Sequence, residues 1–289
     1  DHLSAIQNNG LSLIQDNETT TVNIFATSDI REAGQFDVVF ICVKSHQIEP
    51  IVDDLSCLCH DSTVFVTTQN GIPWWYFQQA EETKIPVELR NSVIESVDPK
   101  GVISSKIDPK RIIGCVVYPA AFIQQPGVIQ HVEGIRFPIG ELDGIEKERT
   151  TKISNMLIDA GFKSPILSDI RSELWLKCWG SCCFNPISAL TGGTLQKICT
   201  YNETRELATC TMQEAYNIGI KLGATFRVSL ERRLNGAAAV GEHKTSMLQD
   251  IEDGRTPEIE ALVGSVVELG KLTNIPTPHL FTLYSCVKL

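Results

Sequence analysis

The 289 residues contain no G-x-G-x-x-G, no C-x-x-C pair and no apolar run long enough to span a membrane. The first absence removes the usual glycine cradle for a dinucleotide pyrophosphate. The second, together with the lack of Cys/His clusters at zinc spacing, leaves no candidate metal ligands. Basic residues are also short, 25 Lys and Arg against 35 Asp and Glu, for a net charge of −10. That balance speaks against a partner held by its nucleic-acid phosphate backbone, although a local basic pocket can still take a small anion. The polar start has no apolar core of a secretory signal. Ten cysteines are present, several in apolar runs such as Cys42 in "VVFICVK". They read as buried free thiols in a reducing compartment, so a cytoplasmic protein is expected.

The front of the chain alternates between two periodicities. "FDVVFICVK" (36–44), "STVFVTTQN" (62–70) and "RIIGCVVYPA" (111–120) are near-continuous apolar runs, as strands buried on both faces require. "HQIEPIVDDLSCL" between the first two has helical spacing, giving β-α-β and a parallel sheet. Residues 120–142, broken by Pro-Gly and Gly, predict short antiparallel strands at the sheet's edge. The segment 73–110, opening on Trp74, Trp75 and Tyr76, is longer than a crossover needs: a lid, an oligomer contact or an extra helix. From 169 onward the pattern is helical, over 169–185, 204–222, 226–234, 244–252, 257–273 and 277–288, with Thr256 as N-cap and Pro257 as first residue of the fifth. Hence two domains are expected: an α/β domain over 1–167 and an all-α domain over 168–289, with a cleft between them.

One lysine sits where a hydrated cation does not belong. In "LWLKCWGSCCFNPISAL", Lys177, Ser181 and Asn185 fall at i, i+4 and i+8 on an otherwise apolar helix. A single polar seam on a buried helix points to a cleft, while a snorkelling lysine explains the pattern equally well. Lys44 and Asn70 close the first two strands, and ligands of open parallel sheets bind at the carboxyl ends of strands. Their plain alternatives are a chain re-entering water and an Asn-Gly turn. Ser246 and Glu258 lie in "SMLQDIEDGRTPEIE", where a helix start and dipole compensation would account for them.

The stretches "VKSHQ", "TTQNGIP", "PGVIQHVEG", "LWLKCWGSCCFNPISALTGG" and "SMLQDIEDGRTPEIEALVG" together resemble the ketopantoate reductase family, in order and along practically the whole chain. The resemblance implies a Rossmann-type domain binding NADPH, a helical substrate domain, and reduction of 2-dehydropantoate to pantoate, a step of pantothenate and coenzyme A synthesis. By matching positions it implies Lys177 as general acid and Glu258 as the second catalytic residue. Asn70, Ser181, Asn185 and Ser246 would contact substrate, and Lys44 and Asn70 would lie beside the cofactor. The partners implied are a small 2-oxo acid, neither nucleic acid nor membrane, with a homodimer left open. Two departures stand out. Ser181 occupies a position that is Asn in many members, which leaves the choice of 2-oxo acid open. The family's opening strand, glycine loop and helix, roughly 30 residues, are expected to be missing before Asp1, and these residues alone are then expected to hold NADPH poorly. The competing readings are a reductase of another small 2-oxo acid and a non-catalytic, degenerate homologue that binds ligands.

Overall fold

The computed structural model describes residues 1–80 and 84–289. Asp1 caps a short helix, α1 (His2–Asn9), accepting from the Leu3 N–H at 3.2 Å. A hairpin follows, β1 (Leu11–Gln15) and β2 (Glu18–Val22), turned by Asp16 and Asn17 at φ 50° and 66°. Left-handed residues at both positions suit a two-residue hairpin, and Asp and Asn tolerate them best after Gly.

The three apolar runs form β3 (Val38–Ile41), β4 (Val64–Thr67) and β5 (Ile112–Cys115), parallel to one another. In β4, Val64 and Val66 face one hydrophobic cluster and Phe65 the other, which is why the run shows no polar alternation. The segment between β3 and β4 corrects the helical expectation. It forms three 3₁₀ turns, Ser45–Gln47, Glu49–Ile51 and Asp54–Leu58. Pro50 lacks the N–H that an α-helix would need there. Cys42 is exposed rather than buried, because β3 ends at Ile41 and is the sheet's outermost strand.

In the 73–110 segment, Trp74, Trp75, Tyr76 and Phe77 are all buried, so it is no lid over these residues. Trp75 Nε1 donates to Thr67 Oγ1 at 2.8 Å. A short helix, α2 (Val102–Lys106), precedes β5. Residues 81–83 of the segment lie outside the described residues.

β6 (Ala120–Gln125) and β7 (Val128–Glu133) form the expected hairpin, but in a separate sheet ordered β2-β1-β7-β6. It pairs with β1 rather than extending the main sheet. Only β8 (Ile139–Glu141) returns to that sheet, antiparallel to β5. Helix α3 (Glu148–Asp159) covers one face through Ile153 and Leu157.

The helical part is α4 (Ile170–Thr191), α5 (Leu195–Thr200), α6 (Asn202–Lys221), α7 (Leu230–Ala239), α8 (Ser246–Glu252), α9 (Ser265–Leu272) and α10 (Pro278–Lys288). Helix α4 is the axis, packed against α5, α6, α8 and α10. It continues through Pro186, beyond the expected end at 185. The flanking Phe184, Asn185, Ile187 and Ser188 are buried, so tertiary packing outweighs one lost backbone bond. The expected helix 226–234 begins instead at Leu230, where Ser229 caps the Arg232 N–H at 3.2 Å. The helix expected from Thr256-Pro257 starts only at Ile259 and opens as a π turn, Glu260–Gly264, before α9. Glu258 takes the capping position, its carbonyl accepting from Leu262 N at 3.0 Å.

Candidate active site

The carboxyl ends of the three parallel strands converge on the helical part. From Glu173 to Ser188 on α4, only Lys177 and Ser181 are not fully buried, which is the seam seen in the sequence. Lys177 Nζ donates to Asn70 Oδ1 beyond the end of β4, at 2.6 Å, and to the Val117 carbonyl just past β5. The same ammonium lies 5.9 Å from the centre of the Tyr118 ring. Asn70 then turns its Nδ2 to Glu258 Oε2 at 3.2 Å, and Glu258 Oε1 accepts from the Ser45 N–H at 3.1 Å. The amide of Asn70 therefore links a lysine to a carboxylate, each on its proper face.

Burial lowers the Lys177 pKa to about 8, against the opposing pull of the Glu258 charge. An ammonium poised near neutrality can both hold and release a proton. It is pinned by neutral oxygens rather than by a carboxylate, so nothing locks the proton on.

Gly71 makes this junction between strand and helix possible. It has φ 81°, and a Cβ there would lie 2.0 Å from the Ala261 carbonyl oxygen. That carbonyl instead accepts from Ile72 N at 3.0 Å, beside the π turn. Distorted turns of this kind recur where a helix is bent to serve a site.

The remaining sequence-derived residues fall into two groups. Asn185 Nδ2 donates to Ser246 Oγ at 3.4 Å, two turns along α4 from Lys177. Ser181 lies between them, but its hydroxyl bonds back to the carbonyls of Lys177 and Cys178, at 3.2 and 3.3 Å. Lys44 is tied across to the helical part, donating to Asp250 Oδ2 at 2.7 Å and to the Thr256 carbonyl at 2.9 Å. Sequence reasoning missed Tyr118, Val117 and Glu173. Applying the strand-end rule to "VVYPA", as to the first two strands, would have found Tyr118. Its hydroxyl donates to Glu173 Oε1 at 2.6 Å, and Arg136 and Arg227 also pair with Glu173.

The strand ends fit the nicotinamide end of a cofactor. Gln69 donates its amide to the Ile41 and Val43 carbonyls, at 2.7 and 2.9 Å, while its own Oε1 is buried without a partner. A carboxamide N–H is the kind of donor such an acceptor needs.

The family profile described as ketopantoate reductase PanE/ApbA matches residues 1–144, and its C-terminal counterpart matches residues 169–289. A 2-dehydropantoate 2-reductase of Mesorhizobium japonicum is 46% identical over 99% of this chain and 86% of its own length. The chain belongs to the ketopantoate reductase family. It is therefore an oxidoreductase with the family's Rossmann-like front and helical back. A structure of a family protein from Ralstonia solanacearum superposes with a TM-score of 0.92 at 33% identity, over 99% of this chain and 86% of that one. D-mandelate dehydrogenase, solved with NADH and anilino(oxo)acetate, shares the fold at a TM-score of 0.81 and 15% identity, over 99% of this chain and 86% of its own. Within the described residues no helix is long and apolar enough to cross a membrane.

Proposed function

We propose that the protein reduces 2-dehydropantoate to pantoate with NADPH, Lys177 giving the proton. The observation that carries this reading is the Lys177–Asn70–Glu258 chain at the joined strand ends. Reduction of a 2-oxo acid adds a hydride to C2, which the reduced nicotinamide supplies, and a proton to the carbonyl oxygen. Lys177 polarises that oxygen and delivers the proton as the alkoxide develops. Asn70 holds the ammonium in place and, with Lys44 at the neighbouring strand end, would flank the nicotinamide. Glu258 compensates the lysine's charge and would accept a substrate hydroxyl. Asn185 and Ser246 would fix the far end of the substrate, with Ser181 lining the space between. The protein acts in the cytoplasm, consistent with ten unpaired cysteines. A homodimer belongs to the same reading, since a fold relative from Staphylococcus aureus is a dimeric ketopantoate reductase.

The test is steady-state reduction of 2-dehydropantoate. Lys177→Ala is expected to lower kcat by about a hundredfold or more, the scale of a lost general acid. Because the acid must carry its proton, wild-type kcat should fall as pH rises through about 8, and that limb should vanish in the variant. An unchanged kcat would remove Lys177 from the chemistry. NADPH should exceed NADH in kcat/KM; the reverse order would overturn the cofactor assignment. A second substrate reading, another small 2-oxo acid, is favoured by Ser181: its hydroxyl bonds back to its own helix rather than reaching outward. Relative kcat/KM across a 2-oxo acid panel decides between them.

A further inference from the structure

Beside the seam of α4 lies a cation that none of the roles above uses. Arg233, on α7, has its Nε buried without an acceptor. The arginines near Tyr118 and Glu173, Arg136 and Arg227, are by contrast ion-paired. The Arg233 guanidinium lies against α4 at Gly180, where an added Cβ would sit 2.7 Å from its Nη2 and 3.2 Å from its Nε. Gly180 is three residues past Lys177 and next to Ser181, whose short side chain is folded onto the helix. The bare glycine lets the guanidinium come up to the α4 backbone within one turn of Lys177.

A guanidinium does not shed its proton, so a desolvated and unpaired one calls for an anion. Burial lowers its pKa, and the Tyr118 phenol is the group that opposes this. A 2-oxo acid brings the missing charge, and a carboxylate matches the guanidinium fork in two parallel hydrogen bonds. We propose that Arg233 receives the carboxylate of the 2-oxo acid, holding it over Gly180 while Lys177 addresses the adjacent carbonyl oxygen. This rests on the reductase reading and adds to it a residue that selects acids over neutral ketones.

The experiment is calorimetric titration of the enzyme with a 2-hydroxy acid and with its primary amide. NADPH is present throughout, so both components are reduced and no turnover occurs. In the wild type the acid should bind at least about 30-fold tighter than the amide, the scale of a buried charge pair. In Arg233→Gln the acid should fall to the level of the amide, while the amide changes little. Arg233→Lys should recover part of the preference. Gly180→Ala, which displaces the guanidinium, should cost the acid selectively and serves if Arg233→Gln folds poorly. Equal losses for acid and amide, or none for either, would overturn the assignment. If the enzyme turns over 2-oxo acids and Arg233→Gln keeps the acid preference, only the role of Arg233 falls. If Arg233→Gln abolishes that preference but no 2-oxo acid is reduced, the carboxylate site stands and the reductase reading falls.

Discussion

Asn70 is the residue through which the site's charges speak to each other. Its amide oxygen faces Lys177 and its nitrogen faces Glu258, so neither ionised group meets the other directly. A direct ion pair would hold the proton on the lysine more firmly than an acid catalyst needs. Glu258→Gln should remove that compensation while keeping the shape, its amide oxygen still accepting from the Ser45 N–H. We expect a rise in KM or a roughly tenfold or larger fall in kcat, with stability changed by less than about 1 kcal/mol. Early melting with normal turnover would make Glu258 a helix-capping residue only. Of the site residues, Lys177 was legible because a charge breaks an apolar helix, and Asn70 because it ends a strand. The roles of Glu258 and Ser246 came through family likeness, since each also suits a helix start. Arg233 was not legible: in "LERRLNG" it looks like any charge on an exposed helix face. Its burial depends on Gly180, distant in sequence, having no side chain.

At the level of elements, the strands were readable and the connections were not. Apolar runs with both faces covered announce β3, β4 and β5 whatever surrounds them. The 3₁₀ turns around Pro50, the passage of α4 through Pro186 and the late start at Ile259 are decided by what packs alongside. The hairpin of β6 and β7 could not be assigned to its sheet from local pattern, because its partner β1 lies more than a hundred residues earlier. The Gly71 junction with the π turn is the most exacting of these contacts. Gly71→Ala would put a Cβ into the Ala261 carbonyl at a φ that L residues rarely adopt. It should destabilise by about 2 kcal/mol or more, from the scale of backbone strain plus overpacking. Denaturant midpoints would show it; a variant as stable as the wild type would mean that the junction readily shifts.

For the whole molecule, the front and back are fastened at several points around the site. Arg171 of α4 donates to the carbonyls of Tyr76, Gln78 and Leu142 at 2.8, 2.6 and 2.6 Å. Glu173, one turn before Lys177 and 1% exposed at its side chain, gathers Tyr118 and Arg136 from the front and Arg227 from the back. Burial alone would raise the Glu173 carboxyl, yet these three partners hold it below the ordinary value. A depressed carboxyl contributes stability that is complete above its unfolded-state pKa and is lost as pH falls through the folded one. Glu173→Ala should therefore cost about 3 kcal/mol near neutrality, the scale of breaking a buried pair. The gap to wild type should shrink in acid. A thermal melt series from neutral to acid pH checks both, and a pH-independent gap would mean that packing, not charge, is what Glu173 provides. The same fastening has an optical side. All four tryptophans, Trp74, Trp75, Trp175 and Trp179, are buried to 2% exposure or less, and they sit either on α4 or in the wedge packed beneath it. The molecule's tryptophan fluorescence thus reports on α4 and what packs against it, Trp175 reaching Tyr76 across the seam and Trp179 facing α6 through the Met212 carbonyl. Loosening of α4 from either side shifts the emission to the red, whereas fraying of the outlying β1–β2 hairpin leaves it unchanged.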